Sequence, residues 1–220
     1  KMKYYLMTFG ISFVISFLLV PILIRFAIKH KVYDVPTSSI KTHKTPVPYL
    51  GGIAIALSFF ITLIIVRFST NFTTGTLYNL RGIFISGFLI LIVGLIDDLK
   101  DMNFKKKFFW QFVCATILIF FDMKIKFISP NYLSIFFTYL WIIGITNAIN
   151  LIDIMDGLSS GIAIIACLAF FWIHSPLEAS YVNFASIALL GGCLAFLIYN
   201  FNPAKIFMGD AGSMFIGLVL

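Results

Sequence analysis

Long apolar stretches broken by short polar segments dominate the chain, and the length of each stretch, more than any period within it, predicts structure. Crossing a bilayer as a helix takes about 20 mostly apolar residues, because an unpaired backbone amide in hydrocarbon costs several kcal/mol. Seven stretches approach that length, approximately Tyr4 to Ile24, Leu50 to Val66, Gly82 to Ile96, Phe108 to Phe121, Tyr132 to Ile149, Leu158 to His174 and Tyr181 to Tyr199. The third and fourth are short enough for partial insertion. An eighth begins near Met214 and reaches Leu220, too few residues to cross a membrane. The predicted fold is all-α, a polytopic membrane helix bundle of about seven spans plus the start of an eighth, in one integral-membrane domain over residues 1–220. The first stretch is longer than the roughly 7 to 15 residues of a signal-peptide core and no small-residue cleavage site follows it, so it is expected to remain as an anchor. The chain opens on Lys1 and its last helix is brief, so it is expected to be cut short at the C-terminus.

Composition narrows the class. Of 220 residues, 60% are hydrophobic and only 11% charged, against about 25% charged in soluble domains, so a water-facing surface cannot be built. The net charge of +7 comes without long basic runs. Membrane orientation explains that excess better than a nucleic acid, which is not an expected partner. Cys114, Cys167 and Cys193 all sit within apolar runs, which argues against a disulfide framework and against a zinc site.

The few charges are unevenly placed. Four alternate connections, Arg25 to Tyr49, Asp97 to Lys107, Asn147 to Gly157 and Asn200 to Ser213, hold 17 of the 25 charged residues and seven of the nine acids. The same connections hold ten of the 16 Lys and Arg. The excess of basic residues predicts that these loops are cytoplasmic and the N-terminus external. Acids contribute little to orientation, so their clustering needs a chemical reason.

Each connection has its own chemistry. The first carries Lys41, His43 and Lys44, phosphate-compatible donors, between Pro36, Pro46, Pro48 and the paired Gly51 and Gly52; as a lone feature it is an ordinary charged loop. The second places Asp97, Asp98 and Asp101 within five residues. They repel one another unless a cation or a metal-phosphate complex offsets the charge, and Mg2+ is the hard cation held by one or two carboxylates plus substrate phosphates. The adjacent Lys105, Lys106 and Lys107 are read chiefly as orientation and interface anchors. In the third, Asn147, Asn150, Asp153 and Asp156 recur every third position, which on a helix puts successive members on neighbouring faces. Deep amides also glue helices together, but two amides followed by two carboxylates read as a functional cluster. The fourth sets Asp210 between Gly209 and Gly212 just ahead of an apolar helix, where free backbone amides receive phosphate and a carboxylate meets a metal. Ordinary capping by Asp210 or Ser213 explains one of them but not the whole segment.

Together these motifs resemble the polyprenyl-phosphate N-acetylhexosamine-1-phosphate transferases, over Asp34 to Gly217. Asp34, Pro36, Lys41, His43, Pro46, Pro48, Gly51 and Gly52 match the first family motif, and Asp97, Asp98 and Asp101 the second. Asn147, Asn150, Asp153, Asp156, Gly157 and Leu158 match the third, and Asn200 to Ser213 the fourth. The third acid, Asp101, and the Pro46-x-Pro48 spacing look like the branch that uses UDP-N-acetylglucosamine. The chain departs from the pattern at Ile40, where Arg is usual, and at Ile154, where glycine is usual. The family's later His-containing loop and last spans have no counterpart before Leu220.

The resemblance implies a transferase of the bacterial inner (plasma) membrane, moving N-acetylhexosamine 1-phosphate from a UDP-sugar to undecaprenyl phosphate with release of UMP, the first membrane step of cell-envelope polysaccharide assembly. Mg2+, with Mn2+ as a substitute, is the implied cofactor, the bilayer the setting and a homodimer the implied assembly. It assigns catalysis to Asp97, Asp98, Asp153 and Asp156, substrate binding to Lys41, His43, Asp101, Asn147, Asn150 and Lys205, and metal binding to Asp210 and Asp98. Three alternatives compete: a phospho-N-acetylmuramoyl-pentapeptide transferase, an inactive truncated remnant, and an ion-coupled transporter using the acids as a cation path.

Overall fold

The computed structural model describes residues 2–34, 46–69, 74–175 and 180–220. Its helices are α1 (Met2–His30), α2 (Gly51–Ser69), α3 (Thr74–Lys100), α4 (Phe104–Phe120), α5 (Asn131–Ile152), α6 (Leu158–His174), α7 (Ser180–Asn200) and α8 (Gly209–Val219). Between α1 and α2, the short strands β1 (Tyr33–Asp34) and β2 (Val47–Pro48) pair antiparallel, Tyr33 opposite Pro48. Five helices, α1, α2, α3, α5 and α7, are long and apolar enough to cross a membrane. The protein is an all-α polytopic membrane helix bundle. Among the other expected spans, α4 and α6 have 17 residues each and α8 has 11, short of that length.

Several helices overrun their apolar stretches, and the overruns carry the polar residues. The third continues past Ile96 to Lys100, so Asp97 and Asp98 lie in its last turn. The fifth continues past Ile149, keeping Asn150 helical, but stops at Ile152. Asp153 and Asp156 therefore sit in the turn before α6, and their expected helical relation does not hold. The eighth begins at Gly209, not near Met214, which brings Asp210 into its first turn.

The surface confirms the medium. Leu6, Leu18 and Phe26 on α1, Trp141 on α5 and Trp172 on α6 are exposed. Acyl chains are as apolar as these side chains, so helix association here depends on close packing and interhelical hydrogen bonds. The α1 contact with α7 shows how. Thr8, Ser12, Ser16 and Val20 recur every fourth residue and are buried, forming one stripe along the helix. Ser12 Oγ donates to the Ala188 carbonyl at 2.5 Å and Ser16 Oγ to the Gly192 carbonyl at 3.0 Å.

The short α8 is the best-buried element, with every residue from Ala211 to Leu218 buried. It packs against α2, α3 and α5. Its crossings with α2 and α3 require glycine: a Cβ on Gly52 would lie 2.1 Å from Gly212 Cα, and one on Gly94 would lie 2.5 Å from Ala211 Cα. Both obstacles are backbone, which cannot swing aside as a side chain can. Gly94→Ala is thus expected to destabilise the protein by about 1–3 kcal/mol, the cost of overpacking a tight core. Gly144→Ala, with nothing within 4 Å of its added carbon, should be tolerated. The recovered fraction of monodisperse protein in detergent, and its apparent melting temperature, compare the two.

Candidate functional site

At one end of the bundle the C-termini of α3 and α5 meet the N-termini of α2 and α8. Between them lies a cavity of about 510 Å3, lined by Asp34, Asp97, Asp98, Asp101, Asp153, Asp156 and Asp210 with Tyr49, Asn150 and Asn200. Seven of the chain's nine acids thus face one space.

The end of α3 is closed by Asp101, whose φ of +46° is left-handed and whose N–H donates to the Asp97 carbonyl at 2.9 Å. Aspartate tolerates that conformation better than most residues. The next N–H, from Met102, donates to Asp97 Oδ1 at 2.6 Å. Asp98 reaches across to α8, its Oδ1 accepting the Asp210 N–H at 2.7 Å and its Oδ2 the Ala211 N–H at 3.0 Å. The residue at the head of α8, Met208, has no side-chain cap. Asp98 supplies that cap from another helix, where a negative charge also complements the helix dipole.

Lys107, in the first turn of α4, forms ion pairs with both Asp97 and Asp210, the latter at 2.7 Å. Asp97 is only 3% exposed, so the ammonium is its main compensation. Burial pulls the Lys107 pKa down, but the hydrogen bonds it donates to Asp210 and Asp97 outweigh that and raise it above the ordinary lysine value. On the other side of Asp210, Asn150 Nδ2 donates to its Oδ1 at 2.6 Å and to Ser213 Oγ at 2.9 Å.

The turn between α5 and α6 completes the wall. Asp153 accepts a hydrogen bond from Ser159 Oγ. Burial, reinforced by the charge of Asp210, pushes the Asp153 carboxyl up to about 7 despite the Ser159 bond, which holds it down. Asp156 Oδ2 accepts from the Ala204 N–H at 3.0 Å, and Asn200 Oδ1 from the Gly157 N–H at 2.9 Å. These two contacts tie the turn to the segment leading into α8.

Every candidate metal donor here is a hard oxygen. Among the described residues no three acidic, His or Cys side chains converge on one point. Mg2+ needs no such cluster, being held by one or two carboxylates with waters and substrate phosphates. The donor set therefore fits that ion.

The family model for glycosyl transferase family 4 matches residues 80–220. A Bacillus subtilis (strain 168) protein, "Probable undecaprenyl-phosphate N-acetylglucosaminyl 1-phosphate transferase", is 35% identical over 220 residues, 94% of this chain. The chain belongs to glycosyl transferase family 4. It spans 60% of the length of that Bacillus relative. The phospho-N-acetylmuramoyl-pentapeptide-transferase of Listeria innocua is 32% identical over 96% of this chain and 71% of its own length. That of Streptococcus sanguinis (strain SK36) is 31% identical over 96% of this chain and 70% of its own length.

Within this family member, most residues expected at the site do line one cavity: Asp97, Asp98, Asp101, Asn150, Asp153, Asp156 and Asp210. Asn147 does not line it. Its Nδ2 donates to Gln111 Oε1 at 2.7 Å and to the Ile143 carbonyl at 2.7 Å, joining α4 to α5. Lys205 is exposed on the segment before α8 and likewise does not line the cavity. Lys41 and His43 lie outside the described residues. Ile154, one of the departures from the family pattern, is 83% exposed and forms part of the cavity wall.

Sequence reasoning missed Lys107, grouping it with two interface lysines. Lys105 and Lys106 are exposed and Lys107 is partly buried; its position three residues into α4 becomes a signal only once that helix's inward face is known. Lys107→Met leaves Asp97 buried without its cation and is expected to cost about 3 kcal/mol, the low end for breaking a buried pair because Lys107 keeps some solvent contact. Adding Asp97→Asn should recover most of the loss in apparent melting temperature. No recovery in the double variant would show that Lys107 supports the fold by other means.

Proposed function

We propose that this chain is part of an enzyme that transfers N-acetylhexosamine 1-phosphate, in first place N-acetylglucosamine 1-phosphate, from a UDP-sugar to undecaprenyl phosphate. One observation carries the reading: four polar segments of an apolar bundle converge on a single acid-lined cavity at the membrane end, in a chain 35% identical to a transferase of that name. Asp101, which faces this cavity, is together with the Pro46-x-Pro48 spacing what makes the sequence resemble the branch using UDP-N-acetylglucosamine.

In the reaction, an oxygen of the acceptor phosphate attacks the phosphorus of the sugar phosphate, and the pyrophosphate bond to UMP breaks. Two anions must approach, so alignment and charge compensation dominate the barrier. Mg2+ held by Asp210, with Asp98 near by, would neutralise phosphate charge. Asp97 is assigned to the acceptor phosphate, as base or positioning group, and Lys107, between it and Asp210, holds both carboxylates in register and offers a cation to an incoming phosphate. Asn150 orients Asp210. Asp153 and Asp156 serve the nucleotide-sugar, and the pKa of Asp153 near 7 leaves it able to donate as well as accept a hydrogen bond at neutral pH. Lys41 and His43 are assigned to phosphate or sugar. The cavity end is cytoplasmic in this reading and the N-terminus external, by the excess of basic residues on the connecting loops.

The Listeria and Streptococcus relatives support a second reading, with UDP-N-acetylmuramoyl-pentapeptide as donor. Membranes carrying the protein are expected to form a lipid-soluble product and UMP from UDP-N-acetylglucosamine and undecaprenyl phosphate only when Mg2+ is present. Product from the muramoyl-pentapeptide donor alone would move the assignment to the second reading. Asp210→Asn should lower turnover at least a hundredfold, the scale of losing one preorganised electrostatic group; full activity in that variant would sink the metal assignment.

A further inference from the structure

At the other end of the bundle, α2 and α3 enclose a groove of about 490 Å3. Its floor is apolar, with Leu63 and Leu80 buried, and Ile64 and Ile85 stand exposed on its rim. Arg67 and Arg81 flank it. Arg67 lies 16 residues along α2 from Gly51, and Arg81 lies 16 residues before Asp97 on α3, which is about 24 Å at the helical rise of 1.5 Å per residue. The groove therefore sits at the opposite membrane interface from the acidic cavity, too far away to hold the phosphate that reacts there.

The two arginines are otherwise unexplained. Neither makes an ion pair or side-chain hydrogen bond with any described residue. Nearby bases are treated differently: Lys126 pairs with Asp122 at 2.7 Å, and Lys124 donates to Asn131 at 2.8 Å. These belong to the same end, since Gly82 packs against Phe121 at the close of α4. Arg67 gains from lying in the last turn of α2, where a cation complements the helix dipole. Arg81 gains nothing of the kind, because it lies seven residues into α3, far from that helix's last turn. Arg67 and Arg81 are both exposed, so each guanidinium is free to take an anion beside the apolar walls, and its planar fork matches a phosphate. An apolar slot with two such forks at its mouth fits a molecule with one phosphate and a hydrocarbon tail.

We infer that the groove between α2 and α3 binds a single anionic phospholipid, with Arg67 and Arg81 on its phosphate and Leu63, Leu80 and Phe84 against its acyl chain. This lipid is distinct from the polyprenyl acceptor, and its binding does not depend on the reaction proposed above.

The test uses the purified protein in neutral detergent, titrated with phosphatidylglycerol or phosphatidylcholine, with bound lipid counted by native mass spectrometry. One phosphatidylglycerol should be retained in preference to phosphatidylcholine. The R67Q/R81Q variant should lose about 30-fold in affinity, at the usual contribution of a basic residue near an anionic lipid, while K124Q/K126Q should leave it unchanged. Retention of phosphatidylglycerol by R67Q/R81Q, or an equal loss in K124Q/K126Q, would overturn the site. Displacement of the lipid by millimolar inorganic phosphate would also overturn it, by showing a general anion site without a seat for the chain.

Discussion

The fold and the site depend on one cap. Helix α8 starts with free backbone N–H groups and no side chain of its own to meet them, at the half-buried wall of the acidic cavity. The Asp98 carboxylate from α3 takes two of those N–H groups. That contact fixes the ends of α3 and α8 together, and so fixes where Asp97 and Asp210 stand relative to each other. The close glycine crossings at Gly52 and Gly94 make the reach short enough for an aspartate. With a bulkier crossing, α8 would stand off, its N-terminus would be uncapped, and the two carboxylates would separate.

Bringing seven carboxylates to one cavity is electrostatically expensive, and among the described residues Lys107 answers by pairing with two of them, Asp97 and Asp210. The remaining charge is met in ways that cost little structure. Asp98 and Asp156 accept backbone N–H groups, and Asp153 is pushed toward neutrality by burial. What is left is a strongly negative pocket at the edge of an apolar bundle, a place where a divalent cation and phosphate groups arriving together would relieve repulsion instead of adding to it.

The rest of the molecule follows from having lipid as solvent. Packing along α1 and α7 adds serine-to-carbonyl hydrogen bonds to aromatic pairs such as Tyr5 with Phe184, because burying apolar area from acyl chains gains little by itself. Polar pairs such as Gln111 with Asn147 take the place that leucines hold in soluble bundles. Asn147 shows how a motif residue can serve the helix contact behind the site while its neighbour one turn on, Asn150, serves the site itself.

Much of this was legible beforehand. The apolar lengths determined the class of fold, since only helices satisfy their own backbone in hydrocarbon, and the scarcity of charge made the acidic segments conspicuous as chemistry. Spacing along the chain also pointed to Asp97, Asp98, Asn150 and Asp210 individually. What it did not contain was their mutual arrangement. That Asp98 serves as a cap and that Lys107 and not its neighbours turns inward are matters of contact between helices, and that Asp153 and Asp156 sit in a turn and that Arg67 and Arg81 flank one groove depend on where helices end and how they pack. Local composition is set by each residue's own transfer free energy and is readable one position at a time. Contact is set by how closely backbones cross, and here glycines at α2, α3 and α8 decided it.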